Sequence, residues 1–196
     1  MKVANYKFEK FKNSTAAKKA LIRLLQNAHA GEKAAANAYY GHAHSLFITD
    51  AQEKLEILKI YAEELHHRQR LKELLNQLDS KPRLSREILM WLIGAFIAMF
   101  SYFGTWFIPM YGAGLLESSN IGEYEVAARL ALLANEQSLI DELLRFAEIE
   151  KDHEYYFRQK VLSHPLAKWI PIWDESISHE KIRISFSEFK QSKSLL

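Results

Sequence analysis

The chain has no cysteine, only four prolines and seven glycines in 196 residues, and almost no charge imbalance, with 26 Lys and Arg against 24 Asp and Glu. Without cysteine there is no disulfide, thiolate zinc site, cysteine-bound iron–sulfur cluster or cysteine nucleophile, so any metal must be held by oxygen and nitrogen. Scarce Gly and Pro together with 48% apolar residues suit long helices, and the length suits one packed helical domain. A net charge of +2 without a clustered basic stripe gives no footing for nucleic-acid binding. The basic residues near the amino terminus have no apolar run behind them, which predicts no secretory signal and a cytoplasmic location.

What is present is one constellation, twice. Glu32 is followed by Tyr39 and then by Glu64-Leu65-His66-His67; Glu117 is followed by Tyr124 and then by Glu150-Lys151-Asp152-His153. Each Tyr lies seven residues after its Glu, and the lone Glu precedes the Glu-x-x-His by 32 residues in one half and 33 in the other. In dinuclear carboxylate bundles a lone Glu from each of two helices and a Glu-x-x-His from each of two others project inward and hold two metal ions.

The patterning places these residues on helices. Residues 1–13 read as a polar, basic arm, and Ser14-Thr15 offer an N-cap for a helix running to about residue 47, with Glu32 inside its apolar stripe. Asp50 can cap a second helix over about 51–78, closed by Ser80-Lys81-Pro82. Residues 84–116 form an apolar crossover, in which 88–116 is a run of 29 residues without a charge. A helix over about 117–134, a turn at Asn135-Glu136-Gln137-Ser138 and a last helix to about 163 follow, and His164-Pro165 ends it. Residues 14–163 therefore read as one all-α, antiparallel four-helix bundle of two hairpins, and 164–196 as an irregular tail packed back through Trp169 and Trp173. With turns near Asp50 and Gln137, the lone Glu lies 18 and 20 residues before its turn and the Glu of Glu-x-x-His 14 and 13 after it, so all four ligating turns can share one level.

Periodicity chooses among neighbouring carboxylates. Glu64 and His67 continue a stripe of Ile57, Ile60, Leu71 and Leu74, whereas Glu63 and His66 share a face with Glu56, Lys59, Arg70 and Glu73. Glu64 and His67 are thus the ligands, and His66 is left as an outer partner. Glu125 shares a face with Arg129 and reads as solvated; Glu123 lines up with Leu116, Ala127 and Leu130, and only the repeat favours Glu117 over it. The candidate ligands are Glu32, Glu64, His67, Glu117, Glu150 and His153. Tyr39, Tyr124, Glu123 and His66 are candidates to support them, and His29, His42 and His44 stay unassigned. Four carboxylates and two imidazoles suit two irons, or manganese with iron, and such a pair points to O2 activation.

The span from Glu32 to His153 resembles the ferritin-like di-iron carboxylate proteins, most nearly the demethoxyubiquinone hydroxylase family. Gly31-Glu32, Glu64-Leu65-His66-His67 with Leu71 and Glu73-Leu74, the Glu117-to-Tyr124 spacing, and Arg145-Phe146 ahead of Glu150-Lys151-Asp152-His153 carry the resemblance. It implies the same six ligands and an enzyme that hydroxylates a lipophilic quinone ring with O2 and electrons from NADH or a reductase. This chain departs in having Glu123 where the family has His. Rubrerythrins are similar in Glu123-Tyr124 and in the residues before Glu150, which keeps open a peroxide-scavenging or iron-handling role; yet their extra Glu, three residues after the third-helix ligand, is Asn120 here. A metal-free helical interaction protein is the third reading.

The uncharged stretch is longer than the ~20 residues of a membrane span, but Gly94, Gly104, Pro109, Gly112 and Gly114 interrupt it. It reads as a helix lying in a membrane interface, as a surface buried within the protein or a homo-oligomer, or as a span. Trp91, Tyr102, Trp106 and Tyr111 suit an interface, and Lys81, Arg83 and Arg86 could meet anionic headgroups. The expectation is a peripheral membrane oxygenase with a greasy substrate.

Overall fold

The computed structural model describes residues 3–11 and 13–194, in which six α-helices and four short 3-10 turns succeed one another with no strand among the described residues. Residues 1, 2 and 12 of the expected arm and 195 and 196 of the expected tail lie outside them. The chain divides into two compact units, Leu25–Met110 and the combination of Met1–Leu24 with Tyr111–Leu196.

Helix α1 (Ser14–Ala43) is capped one residue earlier than the sequence suggested. Asn13 Oδ1 accepts the N–H of Ala16 at 2.9 Å, and Ser14 is already helical. Helix α2 (Ala51–Gln77) starts as expected, with the Asp50 carboxylate accepting from the amides of Gln52 and Glu53. It ends where Asp79 takes a left-handed conformation (φ 54°) and the Ser80 N–H returns to the Leu75 carbonyl at 2.9 Å, a Schellman closure made without glycine. Within Leu25–Met110 the two helices are antiparallel: Gln26 reaches the Lys81 carbonyl, the Arg68 guanidinium reaches the His29 carbonyl, and the Tyr40 and Tyr61 rings lie 5.8 Å apart.

Helix α3 (Leu84–Phe103) runs parallel to α1, as the pairings of His29 with Glu87, Ala34 with Gly94 and Gly41 with Ala98 require. Glycine permits the approach. A Cβ on Gly94 would fall 2.6 Å from the Ala34 Cα, and one on Gly41 would fall 2.4 Å from the Ala98 carbonyl oxygen. The opposite side of α3 is bare: Ile88, Trp91, Leu92, Phe96, Met99 and Phe103 are all exposed.

Helix α4 (Phe107–Leu133) begins ten residues before the expected start at 117, so the uncharged run is two helices broken at Gly104. Pro109 does not prevent this, because it sits in the first turn of α4, where an N–H has no helical partner to lose. In the second unit α4 pairs antiparallel with α5 (Ile140–Ser163): Tyr124 meets Phe146 edge-on at 5.3 Å, and a Cβ at Gly114 would lie 3.2 Å from Phe157. The turn between them uses Asn135 at φ 63°, with the Glu136 N–H bonded to the Ala131 carbonyl, the same device that ends α2.

The tail departs from expectation. Residues 179–194 form a helix, α6 (His179–Ser194), antiparallel to α5. Its Ile182 and Phe186 are buried, and Arg183 donates to Glu148 at 2.6 and 2.9 Å and to Asp141 at 2.5 Å. The Phe8 ring of the amino-terminal arm packs 5.0 Å from Phe189. Of the two tryptophans, Trp173 packs back while Trp169 stays 84% exposed.

Candidate metal centre

In the unit Leu25–Met110, Glu32 comes from the middle of α1, and Glu64 and His67 from consecutive turns of one face of α2. The antiparallel pairing brings them together, with one ligand atom of each within 4.8 Å of the others. Glu64 and His67 are fully buried and Glu32 is 3% exposed. The face chosen by periodicity is the buried one, since Ile57, Ile60, Leu71 and Leu74 are buried with them, whereas Glu63 is half-buried and His66 exposed. His66 therefore lies outside the set it was expected to support.

In the second unit Glu117 from α4 meets Glu150 and His153 from α5, again with ligand atoms within 4.8 Å of one another. Glu117 and Glu150 are fully buried and His153 nearly so, while Glu123 is half-buried. Asn120, one turn after Glu117, donates from Nδ2 to its Oε2 at 3.0 Å and so fixes the carboxylate's orientation. Tyr39 and Tyr124 are both buried at matching positions, seven residues past their Glu. Each set is two carboxylates and one imidazole without thiolate, a donor set that fits iron or manganese and in which a divalent cation would offset the buried negative charge.

Two expectations change. Glu125 and Arg129, read as solvated, are buried as an ion pair at 3.2 Å because α6 covers them: Arg129 Nη2 donates to Ser185 Oγ at 2.7 Å, and its guanidinium lies 5.6 Å from the Phe189 ring centre. Burial pushes the Glu125 carboxyl up and the Arg129 guanidinium down, and their attraction opposes both shifts. The unassigned His29 is buried and joins a three-helix network. Its Nδ1 lies 2.7 Å from Glu87 Oε1, and Arg68 donates to Glu87 Oε2 at 2.5 Å and to the His29 carbonyl at 2.6 Å. Sequence spacing along α1 and α2 could have paired His29 with Arg68, but not with Glu87, which arrives through α3.

Beside His153, the fully buried Glu154 accepts from Lys151 Nζ at 2.7 Å and from Trp173 Nε1 at 2.8 Å. Trp173 reaches it across Gly114, where a Cβ would lie 2.2 Å from the indole ring. This network braces the α5 turn that carries His153, and its Trp comes from the segment read as irregular.

With both sets described, comparison with known families bears on the segment that carries the first. Residues 19–101 match the family model of the ubiquinone biosynthesis protein COQ7. That family is a ferritin-like di-iron family with a helical bundle, in agreement with the all-α fold and with the resemblance read from the motifs. The COQ7 match runs from α1 through α2 into the last turn of α3 and takes in Glu32, Glu64 and His67. Glu117, Glu150 and His153 lie beyond it. No curated protein and no solved structure matched the chain.

Proposed function

We propose that this chain is a di-iron hydroxylase of ubiquinone-type biosynthesis, acting with O2 on a lipophilic quinone-like ring at a membrane surface. The observation that carries the reading is the buried convergence of Glu32, Glu64 and His67 inside the segment that matches the COQ7 family. Its repetition by Glu117, Glu150 and His153 supports a second ion. Each set would hold iron, and manganese with iron is the alternative that the same donors accept.

Two irons held there would supply electrons to O2, so that one oxygen atom would be inserted into a ring C–H bond as hydroxyl and the other would leave as water, with two electrons from an external donor such as NADH or a reductase and two protons. The chain's own contribution is to exclude water and fix the ligands. The apolar stripes of α2 and α5 keep both sets dry, Asn120 orients Glu117, and the Glu154, Lys151 and Trp173 network steadies the turn of His153. The bare apolar face of α3 supports a peripheral membrane location, from which a greasy substrate would arrive; α3 is long and apolar enough to cross a membrane, but its length is equally that of a helix lying in the interface. A scavenging role draws no support from the second set, where Asn120 stands on Glu117 in place of a further carboxylate.

The test is metal content of purified protein, followed by anaerobic Fe(II) addition and an O2 pulse read optically, then O2 uptake with a demethoxylated quinone. Two irons per chain and quinone-coupled O2 uptake are expected, with both lost in Glu64→Ala and Glu150→Ala. A protein that holds no iron, and variants that behave as wild type, would overturn the reading.

A further inference from the structure

On the outer side of the turns that carry Glu32, Glu64 and His67, two cavities of about 360 and 420 Å³ open around Arg68 and Glu87, which line both. The first adds Lys72 and the buried His29; the second adds Lys33, Ile88 and Trp91. Both oxygens of Glu87 are engaged, one by His29 and one by Arg68, so the one carboxylate that lines these cavities among the described residues is already neutralised within the network. Burial, the largest influence, holds the His29 imidazole below its ordinary pKa, with the Glu87 hydrogen bond opposing the shift and the charges of Arg68 and Lys72 adding to it. The positive charges of Lys33 and Lys72 are therefore left unbalanced at the rim, with Arg68 fixed between them by its bond to the His29 carbonyl.

An anion is the complementary ligand, and the apolar partners say which kind. Ile88 and Trp91 line the second cavity while remaining half exposed, and from them Leu92, Phe96, Met99 and Phe103 continue along α3. From 88 to 103 that stripe is about 22 Å long at helical rise. A free phosphate needs no such stripe; an acyl chain does.

We propose that these cavities bind the phosphate of an anionic phospholipid, with Lys33, Arg68 and Lys72 around the headgroup and an acyl chain along α3. This rests on the membrane-surface reading above and specifies the lipid that the surface selects.

The experiment is co-sedimentation of the full-length, iron-loaded protein with vesicles of phosphatidylcholine alone or with phosphatidylglycerol. Wild type is expected to bind the phosphatidylglycerol vesicles more tightly. The double variant of the half-buried Lys33 and the exposed Lys72, Lys33→Gln with Lys72→Gln, should lose about tenfold or more of that preference, since each lysine near an anionic surface contributes about fivefold, while keeping its phosphatidylcholine binding. A control pair at the far end of α2, Lys54→Gln with Lys59→Gln, should keep the preference, and helical circular dichroism should be unchanged in both.

Equal phosphatidylglycerol binding by wild type and the Lys33 and Lys72 variant, or equal loss in the control pair, overturns the site. Inorganic phosphate raising the melting temperature of wild type but not of that variant, with no lipid preference, reassigns the cavities to a free anion and overturns the lipid. Wild type binding both vesicles equally defeats the site and leaves the membrane reading standing. Wild type binding neither defeats the membrane reading itself.

Discussion

A buried imidazole and a buried ion pair outside the candidate metal sets test how strictly this interior controls charge. Burial lowers the His42 pKa to about 4 from its usual 6.5, so as pH falls the unfolded chain takes up a proton before the folded one. The stability this residue leaves intact above pH 6.5 is lost progressively down to about pH 4, a loss of about 3 kcal/mol. His42→Phe should flatten the pH dependence of urea unfolding between those values relative to wild type; parallel curves for the two proteins would count against a buried neutral imidazole. The second group is the Glu125–Arg129 pair, sealed under α6. Arg129→Leu should destabilise by about 3–5 kcal/mol because it strands a buried carboxylate, and adding Glu125→Leu should restore much of that loss. Additive single effects in a double-mutant cycle would contradict the coupling. Sequence alone placed this pair on a solvated face, because i,i+4 charge spacing has the same form whether or not another helix covers it.

At the scale of elements, helix interiors were legible and their partners were not. The α2 start at Asp50, the turn at 135–138 and the end of α5 before His164-Pro165 follow from capping and proline chemistry that acts within a few residues. Gly104 was one of five interruptions the sequence offered in the uncharged run, and composition does not say that it alone, in an extended conformation, divides the run into two helices while Gly94, Pro109, Gly112 and Gly114 stay helical. Helix α6 was missed because its apolar positions are few and it depends on Arg183 bridging to α5. The close contact of α1 and α3 offers a direct check on the glycine reading. Gly94→Ala forces a methyl group against the Ala34 backbone, so it should lower stability by about 1–3 kcal/mol in thermal or urea unfolding. Gly31→Ala, with open space at its Cβ, should not.

For the molecule as a whole, the apolar face of α3 is the feature most at odds with free solution. Exposed aromatic and aliphatic side chains recur at one-turn intervals from Ile88 to Phe103, and contiguous apolar surface of this kind marks contact sites for partners or membranes. Phe96→Glu with Phe103→Glu should shift the protein from the vesicle pellet to the supernatant while leaving iron content at two per chain; retention in the pellet would place membrane contact elsewhere. Separating the two readouts matters, because both phenylalanines sit on the bare side of α3, away from the face that meets α1.

The sequence by itself determined which donors are available to a metal and the periodic placement of the candidate ligands. Absence of cysteine limited the donors to carboxylate and imidazole, and helical spacing distinguished Glu64 and His67 from Glu63 and His66, since an i,i+3 pair on an apolar stripe must turn inward with it. Repetition distinguished Glu117 from Glu123 where periodicity could not. Only the tertiary structure decided what covers each outer face: α6 over Glu125 and Arg129, Trp173 across Gly114 to Glu154, and α3 bringing Glu87 to His29 and Arg68. The reason is range. Capping, spacing and periodicity act within a few residues of chain, whereas burial of an outer face depends on which distant segment returns to it, and an amphipathic pattern names the face without naming its partner.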